Sequence, residues 1–288
     1  MEITQLYKQN QPAMSCEIFP PKEFSKVEEV KRVVDGLCAI RPAYISVTYG
    51  AAGNTPHFTR ELSQYVEKGG VPALSHLTCI NNPIQQVKAV LDELEAAEIR
   101  NVLALRGDLP QGMEFPKKGH YLHAWELIAA IKKRGGFSVG AACYPEGHPE
   151  APSRDKDLEY LRMKQDAGAD FFTTQMFFDN NVLYQFLFRA LKKGVSLPIS
   201  AGVMPVVRAK QIRRIVALSG ASLPPRFLTI LDRFGDDPAS MEKAGVAYAT
   251  DQIIDLIANG VNHIHLYTMN RPDIAAAIRH NLGSILAL

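Results

Sequence analysis

No long apolar run and no surplus of charge mark this chain of 288 residues. Nothing in it approaches the roughly 20 apolar residues of a membrane-spanning helix, and the opening stretch, residues 1–8, holds no signal-peptide core. A net charge of +2 gives no reason to expect a nucleic acid or a membrane surface as partner. Cysteine is scarce: Cys16, Cys38, Cys79 and Cys143 form no Cys-x-x-Cys pair and no zinc spacing. They read as small core residues in a reducing compartment, so the expected location is cytoplasmic. There is no Gly-x-Gly-x-x-Gly after a strand, no P-loop, no His-Glu-x-x-His and no Gly-x-Ser-x-Gly. These absences argue against a Rossmann-type dinucleotide domain, a P-loop NTPase, a zincin and a serine hydrolase. No Ser/Gly-rich linker interrupts the chain. With 47% hydrophobic and 22% charged residues, it reads as one ordered domain over 1–288.

The positive signal is a rhythm. Short apolar runs at 14–19, 43–49, 72–79, 101–105, 137–144, 171–176, 198–203 and 262–267 each carry a polar residue near the C-terminal end, and helix-like stretches follow. Helices are predicted over 25–39 (with Ser25 as cap), 83–97, 123–134, 155–167, 181–193 and 271–282. Three more, near 208–219, 225–234 and 238–259, fall between the seventh and eighth runs. Strand alternating with helix about eight times reads as an α/β fold, a (β/α)8 TIM barrel with extra helices between strands 7 and 8. That fold places its chemistry at the C-terminal strand ends, here Glu17, Thr48, His76, Arg106, Asp108, Tyr144, Gln175 and Tyr267.

Strand parity assigns the faces. Ser15 goes with Glu17, Ser46 with Thr48, His76 with Thr78, Ala142 with Tyr144, Thr173 with Gln175, Ser200 with Gly202, and His263 and His265 with Tyr267. The opposite face is apolar and suits packing on helices; Leu103 and Leu105 fall on it, opposite Arg106. The interior is then expected to be polar or small throughout, as a mouth built around a large, partly polar ligand. The alternative is a water-filled, hydrogen-bonded core without a ligand.

Several residues carry candidate chemistry. Glu17 sits in an apolar run, where a carboxyl group loses solvation; this favours its neutral form and suits it to proton donation. The alternative is a salt bridge to Arg106 or Lys22. At 106–108, Gly107 permits close approach of a flat ligand, Arg106 offers a planar fork for phosphate or carboxylate, and Asp108 adds a negative charge. The alternative there is an Arg106–Asp108 pair closing a turn. The loop at 144–150 fixes Tyr144, His148 and two carboxylates between prolines, as a ligand loop or a tight surface turn. Lys164 could add a cation to a phosphate or be a solvated surface residue. His263 and His265 have metal-ligand spacing, but matching carboxylates are lacking, and no metal is expected.

These segments resemble a known family. Ser-Cys-Glu-Ile-Phe-Pro-Pro-Lys (15–22), Ile-Ser-Val-Thr-Tyr-Gly-Ala (45–51), Ser-His-Leu-Thr-Cys (75–79), Ala-Leu-Arg-Gly-Asp-Leu-Pro (104–110), Ala-Cys-Tyr-Pro-Glu-Gly-His-Pro-Glu (142–150), Thr-Gln-Met-Phe-Phe-Asp (174–179) and Leu-Tyr-Thr-Met-Asn-Arg (266–271) run in the order found in bacterial methylenetetrahydrofolate reductases. The resemblance implies a barrel binding FAD at its C-terminal mouth. The implied activity is reduction of 5,10-methylenetetrahydrofolate to 5-methyltetrahydrofolate with NADH or NADPH, in one-carbon metabolism and methionine biosynthesis. By matched motif, Glu17 would be the general acid and Asp108 would lie between flavin and pterin. Thr48, His76, Arg106, Gly107, Asp108, Ala124, Tyr144, His148, Ala151, Asp157, Tyr160 and Lys164 would contact FAD. Gln175, Gln211, Tyr267 and Arg271 would bind the folate, Arg271 through its glutamate carboxylate. Tyr160 and Met163 stand where some relatives have Asn and Arg, and Ile215 replaces an aromatic. A homo-oligomer is expected, and inhibition by adenosylmethionine is not. Some relatives take electrons from a metal-containing partner subunit. Two other readings are a metal-independent lyase using Glu17 and Lys164, and a non-catalytic folate- or flavin-binding subunit.

Overall fold

The computed structural model describes residues 1–9, 11–49, 56–108 and 118–287, with the backbone alone at Pro56, Gln211, Arg213, Arg214, Ala217, Leu218 and Ala287. Gly50, Ala51, Leu109 and Pro110 of the quoted segments, and the side chain of Gln211, lie outside the described residues. The strands are β1 (Ala13–Ile18), β2 (Ile45–Val47), β3 (Ala73–Thr78), β4 (Asn101–Leu105), β5 (Ser138–Cys143), β6 (Phe171–Thr174), β7 (Ile199–Val203) and β8 (His263–Tyr267). Between them come α1 (Val27–Ala39), α2 (Pro56–Lys68), α3 (Ile84–Ala96), α4 (Ala124–Arg134), α5 (Arg154–Asp166) and α6 (Asn180–Lys192). The longest connection carries α7 (Ala209–Ser219), α8 (Pro225–Phe234) and α9 (Pro238–Ala258), and α10 (Pro272–Leu282) follows β8. The strands are parallel and close in sequence order, β8 pairing with β1, which makes a (β/α)8 barrel. Among the described residues no helix is long and apolar enough to cross a membrane.

The outer face follows the predicted alternation. Cys16, Ile18, Val47, Leu77, Val139 and Leu266 are buried in one core with the apolar stripes of the helices. In α1 that stripe is Val27, Val30, Val34 and Leu37, at helical spacing. Ser25 does not cap this helix; it lies in a 3-10 turn, Phe24–Lys26, and α1 starts without a side-chain cap. Three cysteines pack in this outer core as expected, and burial pushes the Cys16 and Cys79 thiols up to about 12, where they are inert.

The inner face corrects the expectation in two places. Register runs from Glu17 to Ser46 to Leu74, and from His76 to Leu103, Gly140 and Phe171. Leu103 and Leu105 therefore turn inward, and Val102 and Ala104 face the helices. The lower interior is also apolar: Leu74, Leu103 and Phe171 join Ile3 and Tyr44 in a packed floor. A 3-10 helix, Ile3–Lys8, closes that end from below. It is pinned by the Ile3 N–H donating to Asn101 Oδ1 (2.9 Å) and by a Tyr7–Ser200 hydroxyl bond of 2.8 Å. Apolar side chains thus fill part of the lower interior, beside polar groups such as Asn101, Ser200 and Ser15.

The helices α7 to α9 cover a second apolar cluster of Phe178, Met204, Val206, Ile212, Phe227 and Met241 beside the mouth. At the floor, Gly140 makes room for Phe171, whose ring would lie 2.5 Å from an added Cβ. Gly140→Ala should destabilise the fold by about 1–3 kcal/mol through overpacking. A urea titration should show a lower midpoint at unchanged slope; an unchanged midpoint would mean that the Phe171 ring yields freely.

Candidate active site

Two adjoining cavities open at the C-terminal ends of the strands. The first, about 430 Å³, is lined by Arg106, Gly107 and Asp108 after β4, by Tyr144, His148, Glu150 and Ala151 after β5, by Ala124 and Trp125 at the start of α4, and by Asp157, Tyr160 and Lys164 on α5. The second, about 320 Å³, is lined by Glu17, Phe19, Thr48, His76, Thr173, Gln175, Tyr267 and Met269. Leu105, Ala142 and Tyr144 line both and so form the shared wall.

Local structure explains each placement. Gly107 adopts φ +85, and a Cβ there would lie 3.0 Å from Thr78 Cβ, so glycine suits the turn and keeps the strand end close. Arg106 Nη1 is 2.5 Å from Glu150 Oε2, and its Nε donates to the Gly107 carbonyl. The carboxylate raises the guanidinium further above its ordinary value, and the guanidinium lowers Glu150 in turn. The Arg106–Asp108 turn pair weighed from sequence is thus replaced by a link between the β4 and β5 loops. His148 Nδ1 accepts from the Glu150 N–H (3.1 Å), which leaves Nε2 to carry the proton of the neutral ring. Burial, then the Arg106 charge, depress this imidazole. Lys164 is not a solvated surface residue: it turns inward and donates to the Ala142 carbonyl at 2.8 Å. Burial lowers its ammonium and raises the neighbouring Asp157 carboxyl.

In the second cavity, Glu17 faces His76 (3.6 Å) and His265 (3.8 Å) rather than Arg106 or Lys22. Ser46 Oγ donates to Glu17 Oε2 at 3.4 Å. His265, a metal-ligand candidate by spacing, has a hydroxyl at each ring nitrogen: Ser15 Oγ at Nδ1 (2.7 Å) and Ser46 Oγ at Nε2 (3.2 Å). His263 packs edge-on against Tyr7. Among the described residues no three His, Cys, Asp or Glu side chains converge on a metal position. Tyr267 donates to the Thr174 carbonyl at 2.6 Å across the space that Gly202 clears. Gln175 Oε1 accepts from the Met176 N–H, which leaves its NH2 to offer donors. His76 Nε2 and Thr173 Oγ1 are buried without a hydrogen-bond partner.

The first cavity, with a guanidinium, an inward ammonium, an imidazole N–H, aromatic walls and a glycine cradle, suits an anionic group attached to a flat conjugated ring. The second suits a flat polar heterocycle presented to a carboxyl group.

A family model described as Methylenetetrahydrofolate reductase matches residues 2–283. The chain is 34% identical over 271 residues to 5,10-methylenetetrahydrofolate reductase of Pectobacterium carotovorum subsp. carotovorum, covering 94% of this chain and 90% of that protein. It is 33% identical to Methylenetetrahydrofolate reductase (NADH) 1 of Arabidopsis thaliana, over 99% of this chain and 50% of that longer protein. The chain belongs to the methylenetetrahydrofolate reductase family. The barrel itself recurs, at 11% identity and a TM-score of 0.67 over the whole of both chains, in an uncharacterized protein from Clostridium thermocellum that binds two copies of 5-methyl-5,6,7,8-tetrahydrofolic acid.

For a methylenetetrahydrofolate reductase, most of the anticipated residues converge, though not all as grouped. Arg106, Gly107, Asp108, Ala124, Tyr144, His148, Ala151, Asp157, Tyr160 and Lys164 line the first cavity, whereas Thr48 and His76 line the second with Glu17. Glu17 and Lys164 line different cavities, so the lyase pairing is not assembled. Arg271 lies outside both linings and is bound to Asp273 (2.6 Å) and Glu242 (2.9 Å). The sequence reading missed His123 and Trp125, which stack with the anticipated Tyr160 along the first cavity, with ring centroids 4.0 and 5.5 Å apart. It also missed Phe19 and Met269 at the mouth of the second. Trp125 is the only tryptophan of the chain, and that scarcity was the available signal.

Burial holds the His76 imidazole down at about 4, against an ordinary 6.5. Below pH 6.5 the unfolded chain takes up a proton that the folded chain refuses until about pH 4. Stability should therefore fall across that window as pH drops, by up to about 3 kcal/mol. Urea titrations from pH 7.5 to 4.5 should show a shallower dependence for His76→Gln than for the parent. Equal slopes would rule out a buried neutral imidazole as the source.

Proposed function

We propose that this chain reduces 5,10-methylenetetrahydrofolate to 5-methyltetrahydrofolate, with FAD in the first cavity and the folate in the second. The observation that carries the reading is the shared wall of Leu105, Ala142 and Tyr144: two flat ligands in these cavities would meet there, and Glu17 lines the second. The residues present fit the flavin. Arg106, His148 and Lys164 would hold its pyrophosphate, the Gly107 cradle would admit its ring, and Ala124, Ala151, Asp157 and Tyr160 would border the rest. Thr48 and His76, which line the second cavity, would meet it from that side. When bound and reduced, the flavin supplies a hydride to the methylene carbon of the folate.

The protein's own residues do the remainder. Glu17 protonates a ring nitrogen of the folate, which opens the five-membered ring to an iminium and makes the methylene carbon electrophilic. Ser46, His76 and His265 surround that carboxyl and fix its direction. The Gln175 amide and the Tyr267 ring orient the pterin. Asp108, on the rim of the first cavity, opposes further negative charge nearby and favours the cationic folate. Gln211 and Arg271 complete the folate contacts, with Arg271 exchanging one of its carboxylate partners for the substrate's. The electron donor is a nicotinamide, NADH or NADPH. A partner subunit as donor is the alternative that the spectrum below distinguishes.

The purified chain should show a flavin absorption band, and FAD added to the apoprotein should quench Trp125 fluorescence. Anaerobic NADH and, separately, methyltetrahydrofolate should each bleach the band. Bleaching by the folate alone would point to a partner as donor, and no flavin binding at all would sink the proposal. Glu17→Gln should leave bleaching by NADH intact and slow folate reduction by roughly 10²–10⁴-fold. Turnover within a few-fold of the parent would remove Glu17 from the acid role. Asp108→Asn should alter both flavin potential and folate affinity, and if neither moves, Asp108 does not act in the site.

A further inference from the structure

Past the last sheet pair between β1 and β8, Glu17 with Tyr267, one side chain continues the pairing. Asn270 Nδ2 donates to the Phe19 carbonyl at 2.9 Å, and the Phe19 N–H donates to Asn270 Oδ1 at 3.0 Å. A single amide thus satisfies both main-chain groups of one residue, as a neighbouring strand would. Two residues earlier, Thr268 Oγ1 donates to the Glu17 carbonyl at 2.6 Å. The main chain on both sides of Ile18 is therefore held from the β8 side.

This grip is built on an unfavourable turn. The Arg271 N–H donates to the Thr268 carbonyl at 3.0 Å, and the two central residues, Met269 and Asn270, have φ of 52° and 56°. Positive φ at both central positions is the signature of a type I′ turn, which favours Asn or Gly and disfavours a residue such as Met. Such a conformation persists where its surroundings over-determine it, and it clusters at ligand clamps. Here the surroundings are the Phe19 backbone on one side and Arg271, bound to Asp273 and Glu242, on the other.

The turn holds two large apolar side chains in the open. Phe19 is 41% exposed and Met269 is 40% exposed, and both line the second cavity with Glu17. We propose that Asn270 is a positioning residue: its amide fixes Phe19 beside Met269 at the mouth of the second cavity, where the two apolar side chains grip the aromatic segment of a substrate whose reacting end lies at Glu17. The proposal rests on the folate reading for the identity of that substrate.

Four variants test it: Asn270→Gly, Asn270→Ala, Phe19→Ala and the double Phe19→Ala/Asn270→Gly. Glycine tolerates the positive φ and alanine does not, so Asn270→Gly should keep the parent's melting temperature better than Asn270→Ala. Both should nevertheless weaken binding of 5-methyltetrahydrofolate equally, by about five- to tenfold, the scale of one or two lost hydrogen bonds. The loss should fall on Kd and KM more than on kcat. The double variant should bind about as weakly as Phe19→Ala alone, because Asn270 acts through Phe19. Parent-like binding by Asn270→Gly, additive losses in the double variant, or a binding defect that tracks melting temperature would each overturn the proposal. If the parent chain itself does not bind the folate, the substrate reading fails and takes the proposal with it. Parent binding that Asn270→Gly leaves untouched sinks the proposal alone.

Discussion

Closing eight parallel strands into a ring ties every inward side chain to the others through register. A slip of one residue in β1 would send Glu17 out among the helices and bring Cys16 and Ile18 inside. What forbids the slip is the outer face. Cys16, Ile18, Ile45 and Val47 are fully buried against helices, and burying each large apolar side chain contributes about 1.5–3 kcal/mol. A carboxyl group and several hydroxyls are thereby placed where their own solvation would not put them. The polar mouth is a consequence of the apolar exterior of the barrel.

Polar groups held inside by packing need partners, and most of those in the barrel find them in one another. Lower down, Ile3 and Asn101, Tyr7 and Ser200, and Ser15 and His265 satisfy one another. Higher up, Ser46 links His265 to Glu17, and Tyr267 reaches the Thr174 carbonyl. Unpartnered atoms occur at both levels: the Tyr44 and Ser138 hydroxyls toward the floor, and His76 Nε2 and Thr173 Oγ1 at the wall of the second cavity. An unpaired buried polar atom costs about 1–3 kcal/mol, so a ligand that offered these atoms partners would recover part of that cost.

The barrel was legible in the sequence because β-strand runs and helix stops are local signals. The helix ends at Gly135, Gly168 and Gly194 and the three helices before β8 followed from them. The parity of β1, β5 and β8 was legible for the same reason. On β4 the rule was applied from Arg106, which sits past the last ladder residue, and it gave the wrong face to Leu103 and Leu105. Alternation is reliable only while the ladder holds the strand extended. The apolar floor was hidden because Ile3 and Tyr44 reach it from outside the strands. Likewise Lys164 on a helix gave no sign that its ammonium turns inward to Ala142. Arg271 suited an incoming carboxylate by type, and the fold supplies Glu242 and Asp273 instead, one of them 29 positions away in sequence.

Proton and electron chemistry impose opposite electrostatic demands on neighbouring cavities. A carboxyl group that is to give up a proton is spoiled by a paired guanidinium, which stabilises the carboxylate and removes the acid form. A cofactor pyrophosphate needs such a cation. In this barrel the two kinds of charge are separated across Leu105, Ala142 and Tyr144. Arg106 is drawn to the β5 loop by Glu150, away from Glu17, while the groups nearest Glu17 are two imidazoles and a hydroxyl. Burial keeps His76 neutral near physiological pH, so it adds no cation to this cavity. Glu150 lies 44 positions from Arg106 and outside the second cavity. Its effect on the second cavity lies in where it keeps the guanidinium.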